Sequence, residues 1–171
     1  MPMRFRRSAR SASLGAVCLL GVTALAGCSA TVKGDATSKV EERLDGVAER
    51  LEYLAGEAPH DQLASRIEEG GLYTELALNG QMPDLSASPG GPPEELVFGI
   101  AYDSDGALRV SVLEAAQSTG SVGLFGSDTI GVMSCSDVVL APGGRPSGAS
   151  ADCPDYAAEV YSAYEQVGTH L

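Results

Sequence analysis

Residues 95–113 read ELVFGIAYDSDGALRVSVL, and the reading of this stretch decides the fold. At its centre stands Asp103-Ser104-Asp105-Gly106. Asp and Gly tolerate the backbone angles that a tight chain reversal demands. On the N-terminal side Leu96, Phe98, Ile100 and Tyr102 fall on alternate positions. On the C-terminal side Leu108, Val110 and Val112 do so, with Arg109 and Ser111 between them. A two-residue period on both flanks of a turn predicts a β-hairpin in a sheet with one buried face.

Working outward toward the C-terminus, residues 118–128 are rich in glycine and are expected to form a loop. Residues 129–141 carry Ile130, Val132, Val138 and Leu140 in one register. They predict a third strand or two short ones, with Cys135 on the opposite face. Residues 142–152 are again Gly, Pro and Ser-rich loop. Cys153-Pro154 then opens an expected last helix, because proline near the first helical position loses no hydrogen bond. Ala157, Val160, Tyr161, Tyr164 and Val167 form its inner stripe.

Working outward toward the N-terminus, residues 79–93 are Gly, Pro and Ser-rich loop. Residues 72–78 fit either a strand or a helical turn. Residues 61–69 predict a short helix with Leu63 and Ile67 on one side and Gly70-Gly71 as its stop. Before the break at Pro59, residues 38–55 predict a longer helix. Ser38 and Glu41 match a capping box at its start. Val40, Leu44, Val47, Leu51 and Leu54 recur every three or four residues and make one apolar stripe. That stripe is too short, and too weakened by Gly46, for a coiled coil, so it is expected to pack on the protein's own sheet. The expected fold class is α+β: a small antiparallel sheet of three to four strands, helices packed on one face, and one disulfide.

The first 28 residues are of another kind. Arg4, Arg6, Arg7 and Arg10 precede an apolar run of about a dozen residues ending at Leu25. That is the length of a signal-peptide core and short of the ~20 residues a bilayer-spanning helix needs. Arg6-Arg7 is followed by Ala9 and Arg10, where a twin-arginine export signal wants bulky apolar residues. The run closes on Leu25-Ala26-Gly27-Cys28, which closely resembles the lipobox of bacterial lipoproteins. The resemblance implies cleavage between Gly27 and Cys28, and a diacylglyceryl group on the Cys28 thiol. One acyl chain binds membranes only marginally, whereas two hold stably. The expected organisation is therefore a signal peptide over 1–27, a flexible tether over 28–37, and a single α+β domain over 38–171. The hairpin, the cysteine-bearing strand and Asp-Cys-Pro at 152–154 resemble envelope lipoproteins of high-GC Gram-positive bacteria. That second resemblance implies no particular activity.

Charge and cysteine usage narrow the function classes. With the four leader arginines gone, seven basic residues face 23 acidic ones, a net charge of −16. Such a chain repels nucleic-acid phosphates and gains nothing from anionic lipid. The acid is expected to be a solvated, solubilising surface. Of the four cysteines, Cys18 leaves with the leader and Cys28 is lipidated. Cys135 and Cys153 then form the one possible pair, and outside the cytoplasm a disulfide is expected. His60 and His170 are the available imidazoles, and neither lies at a zinc-type spacing from the cysteines.

Other motifs fail their chemical tests. Asp103-x-Asp105-Gly106 aligned as a calcium loop would put Ala101 and Val112 where carboxylates are required. The glycines at 120, 123 and 126 come without a P-loop lysine, although Leu124 and Phe125 beside them suit a contact loop. No nucleophile-elbow sequence accompanies His60 or the penultimate His170. Tyr53, Tyr73, Tyr156, Tyr161 and Tyr164 are expected at the edge of a core rather than as a sugar-stacking platform. The resulting expectation is a non-enzymatic, lipid-anchored extracytoplasmic protein without cofactor or metal. Its partner would be another envelope component. The alternatives, in order, are a small-ligand or cell-wall glycan binding module and a small hydrolase.

Overall fold

The computed structural model describes residues 15–69, 76–78, 91–122 and 126–169, with side chains from residue 30 onward except at Val122. The basic leader start, the Gly70-Gly71 stop, most of the 72–78 segment, most of the 79–93 loop, Leu124, Phe125 and His170 lie outside the described residues. Helix α1 spans Gly15–Glu57. A 3₁₀ turn, His60–Gln62, leads into helix α2, Leu63–Glu69. Strands β1 (Glu95–Tyr102), β2 (Leu108–Val122), β3 (Gly126–Leu140) and β4 (Ser147–Ser150) follow. A single helical turn, α3 (Ala157–Val160), precedes the short strand β5, Tyr164–Gln166. Among the described residues no helix is long and apolar enough to cross a membrane.

The fold is α+β, with a mixed sheet of five strands in the order β1-β2-β3-β4 and β5 beside β3. β1–β2, β2–β3 and β3–β4 are antiparallel. β5 runs parallel to β3 and shares its outer edge with β4: β5 pairs with Gly131–Met133 and β4 with Ser136–Val139. The sheet is thus larger than the three or four strands expected, and not purely antiparallel.

The predicted turn at 103–106 joins β1 to β2, and Gly106 holds a positive φ of 84° there. The apolar stripe of α1 is buried as its spacing requires. Leu44, Val47 and Leu51 lie over Leu108, Val110, Val112, Val138 and Leu140, joined by Leu63 and Ile67 of α2. Each such side chain contributes about 1.5–3 kcal/mol by leaving water.

Four expectations are corrected. First, α1 does not begin at Ser38. Residues 30–37 are helical, and Val32 and Ala36 are buried. Ala36 extends the stripe four residues before Val40 and meets Ala116 and Val132, so this stretch is packed structure rather than a free tether. Second, residues 118–122 and 126–128 are strand rather than loop: β2 and β3 stay paired as far as Val122 and Gly126. Their glycines serve close packing. A Cβ on Gly120 would come within 2.2 Å of a Val32 methyl, and one on Gly131 within 2.9 Å of the Tyr164 ring.

Third, the closing helix is one turn. After Tyr161 the chain turns into β5, and the Val167 N–H donates to the Met133 carbonyl. Fourth, β1 changes faces. A bulge between Val97 and Gly99 puts Leu96 and Phe98 on one side and Val97 and Ile100 on the other. The four residues Leu96, Phe98, Ile100 and Tyr102 therefore do not share a face.

Both faces of the sheet are covered. Opposite α1 lie Leu96, Leu113, Ala115, Met133 and Cys135, capped by Tyr156, Ala157 and Tyr161. The Cys135–Cys153 disulfide forms as expected, across a separation of 18 residues. Residue Leu76 makes an isolated parallel bridge to Val97.

Candidate functional site

At the C-terminal end of α1, three pieces of chain meet. Pro59 ends the helix and starts the 3₁₀ turn with His60 as its first residue. The β1–β2 turn comes alongside, and the segment after β3 supplies Pro142. Together His60, Asp61, Tyr102, Gly106 and Pro142 line a groove of about 540 Å³. A second hollow of about 250 Å³ adjoins it, sharing His60 and lined by Glu52, Gly56, Leu63, Leu140 and Gly143.

The groove is held by a small set of bonds. His60 Nε2 lies 2.9 Å from the Gly106 carbonyl oxygen. A carbonyl can only accept, so Nε2–H is the donor in this contact. The Tyr102 hydroxyl donates to the His60 carbonyl at 2.5 Å. The two rings meet edge to face, 5.7 Å between centroids and 62° between planes. Tyr102 remains 39% exposed. A fixed tyrosine and histidine beside Asp61 and Pro142 offer apolar area, ring faces and one carboxylate. That set suits binding by contact. His60 was legible in the sequence only as a histidine between two helices. Tyr102 was read as part of a strand face, and nothing in the spacing placed it 42 positions away against His60.

A second unusual group lies under α1. Glu114 continues the alternation of Leu108, Val110 and Val112 and therefore points to the helix-covered face. It is 1% exposed, and among the described residues neither carboxyl oxygen has a hydrogen-bond partner. Its direct cross-strand neighbour is Glu95. Arg50 pairs with Glu95 and Arg43 with Glu94, each at 2.5 Å. Arg43 also donates to the Ala115 carbonyl. Burial, reinforced by the Glu95 charge, pushes the Glu114 carboxyl up to about 8, against the pull of Arg43 and Arg50. The group is thus mostly a neutral acid at pH 7. The period-two register, run one step past Val112, is the signal that would have found it.

On the other face, beside the β1–β2 turn, Arg109 bridges two carboxylates. It reaches Asp103 at 2.8 Å and Asp137 at 2.6 Å, and the Ser111 hydroxyl donates to Asp137 at 2.6 Å. The hydrogen bonds from Arg109 lower the Asp103 pKa. This network pins the turn to β3.

The remaining sequence-derived site residues fall elsewhere. Gly27 and Cys28 lie within α1, in its N-terminal half and away from the groove, and their side chains are outside the described residues. Cys135 and Cys153 lie on the face away from α1. Among the described residues no three His, Cys, Asp or Glu side chains gather to hold a metal ion. No protein-family model, curated protein or solved structure matches the chain.

Proposed function

We propose that the chain is a lipid-anchored extracytoplasmic binding protein, held by acyl chains on Cys28, that presents the His60–Tyr102 groove to another envelope protein. The observation that carries this reading is the separation of the two sites. Residues 30–57 of α1 form one unbroken helix. At 1.5 Å per residue its far end stands about 40 Å from its near end. The groove lies at the far end and Cys28 just before the near one. A disulfide at Cys135–Cys153 is in keeping with an oxidising compartment.

The reading calls for no chemistry at the groove. The groove is built for contact: His60 Nε2 lies against the Gly106 carbonyl, and the Tyr102 hydroxyl donates to the His60 carbonyl. A photo-crosslinker placed at Asp61 in intact cells is expected to capture one discrete protein. The same probe at Glu159, on the opposite face, is expected not to capture it. Equal capture from both positions would count against the groove. A second reading, cell-wall glycan binding, draws on the His60–Tyr102 ring pair beside the Asp61 carboxylate. Co-sedimentation with purified cell wall that Tyr102→Ala abolishes would favour it over the protein partner.

A further inference from the structure

We infer that the groove takes a cationic segment of its partner, a lysine or arginine side chain beside an apolar one. The inference rests on the proposed role of the His60–Tyr102 groove as the docking site and adds the chemistry of what docks there.

The walls set the shape of the occupant. His60, Asp61, Tyr102, Gly106 and Pro142 enclose about 540 Å³, a volume that admits a few side chains rather than a flat protein surface. Pro142, Gly106 and the ring carbons of Tyr102 make much of that wall apolar. The Tyr102 hydroxyl is committed to the His60 carbonyl, and the Ala64 N–H donates to it at 3.4 Å. What Tyr102 offers a ligand is therefore its ring, and the residue is 39% exposed. A cation within about 6 Å of a tyrosine ring is drawn to its face.

Charge decides the sign of the occupant. Asp61 lines the groove and Glu52 the adjoining hollow. Glu57 follows the lining Gly56, and Asp105 precedes the lining Gly106. All four are exposed, and among the described residues none of them is held in an ion pair.

The protein's own cations are mostly spent elsewhere. Seven basic residues follow Arg10. Lys33 pairs with Glu165, Arg43 with Glu94, Arg50 with Glu95, and Arg109 with both Asp103 and Asp137. Lys39 donates to the Gln117 carbonyl, in the part of α1 remote from the groove. Arg66 and Arg145 remain. Arg66 shares α2 with Glu68 and Glu69, and Arg145 adjoins Gly144 of the hollow. Even with both counted against the four carboxylates, the rim is net negative. An apolar floor inside an anionic rim attracts a basic, partly apolar segment and repels an anionic one.

The test is photo-crosslinking in intact cells from a benzophenone side chain at position 61, in three charge backgrounds. The benzophenone replaces Asp61 and leaves Glu52, Glu57 and Asp105 as the rim. The first background is otherwise unaltered. The second neutralises the rim with Glu52→Gln, Glu57→Gln and Asp105→Asn. Asn at 105 keeps the oxygen that accepts from the Ala107 N–H, so the turn survives. The third removes the same charge from exposed acids further back on α1, with Glu41→Gln, Glu42→Gln and Asp45→Asn. Asp45 lies about 18 Å along the helix from Glu57, beyond the roughly 8 Å over which charge acts at cellular salt.

With the unaltered rim, the captured protein is expected to be joined through a segment with a lysine or arginine next to the crosslink, read by mass spectrometry of the digest. The rim variant is expected to lower capture by about tenfold, the scale of electrostatic steering. The distant variant is expected to leave capture within about twofold of the unaltered level. Equal losses in both variants, no loss in either, or a captured segment without a basic residue would overturn the cationic partner and leave the groove as the docking site. An adduct with cell-wall glycan in place of protein would overturn the cationic segment in favour of the glycan reading. No adduct at all from the unaltered rim would overturn the docking site and this inference with it.

Discussion

On one face of the sheet, Leu44, Val47 and Leu51 of α1 lie over Leu108, Val110 and Val138. On the other, Tyr156 and Tyr161 lie over Leu113 and Met133, beside the Cys135–Cys153 bridge. The first face is closed by a long helix whose apolar residues repeat at helical spacing. The second is closed by a chain with one helical turn, where a covalent link does what a continuous helix does opposite. Secondary structure can hide a sheet face only where the covering element is long enough; elsewhere a cross-link or a few large aromatic anchors must serve.

The largest expected effect falls on the helix-covered face. Leu51→Ala should lower unfolding stability by about 2–5 kcal/mol, since the site is fully buried among helix and strand side chains. Chemical denaturation reads it directly. A loss below about 1 kcal/mol would mean that the helix is not the main cover of this face.

Glu114 is the flaw in the same face, and it sharpens the contrast through pH. Its folded pKa of about 8 stands above the ordinary 4.5. Between those values the folded state binds more protons than the unfolded one, so stability falls as pH rises. From pH 5 to pH 8 the fall should be on the order of 3 kcal/mol. Glu114→Gln should flatten that slope, because an amide does not ionise. An unchanged slope in the variant would remove Glu114 as its source.

On the other face, replacing Cys135 and Cys153 together by Ala should cost ~3 kcal/mol in the chain-entropy model. The loss should appear chiefly as weaker amide protection in β4 and β5 rather than in α1. Uniform loss across both faces would erase the distinction drawn between them. The smallest effect is at Tyr161, whose hydroxyl donates to the Pro93 carbonyl at 2.8 Å. Tyr161→Phe should cost about 1 kcal/mol, measured by the same denaturation.

Legibility in the sequence follows the same division. The α1 stripe, the 103–106 turn and the strands beside it announce themselves, because one regular period sets both their conformation and their burial. The disulfide was readable because assigning Cys18 and Cys28 to the expected leader and lipid anchor left a single pair. The far end of the hairpin was not readable: Gly120 and Gly131 look like loop residues, yet they sit in strands because Val32 and Tyr164 occupy the space a side chain would need. The switch of β1 between faces at Gly99 was equally hidden, since a bulge leaves no mark on a two-residue period. The segment after Tyr156 carries a helical stripe, but pairing with β3 satisfies its backbone better than further turns would. The groove was the least legible feature. It exists only because the length of α1 and the Pro59 break deliver His60 to Tyr102 and the Gly106 carbonyl.

Membrane attachment turns on the state of residue 28. Cys28→Ser, expressed from the full-length gene and followed by cell fractionation, tests it most directly. The unaltered protein is expected in the membrane fraction and released only by detergent, and the serine variant in the soluble exported or unprocessed pool. A serine variant of mature mass, with the leader cleaved, that is held in the membrane as firmly as the unaltered protein would contradict the anchor.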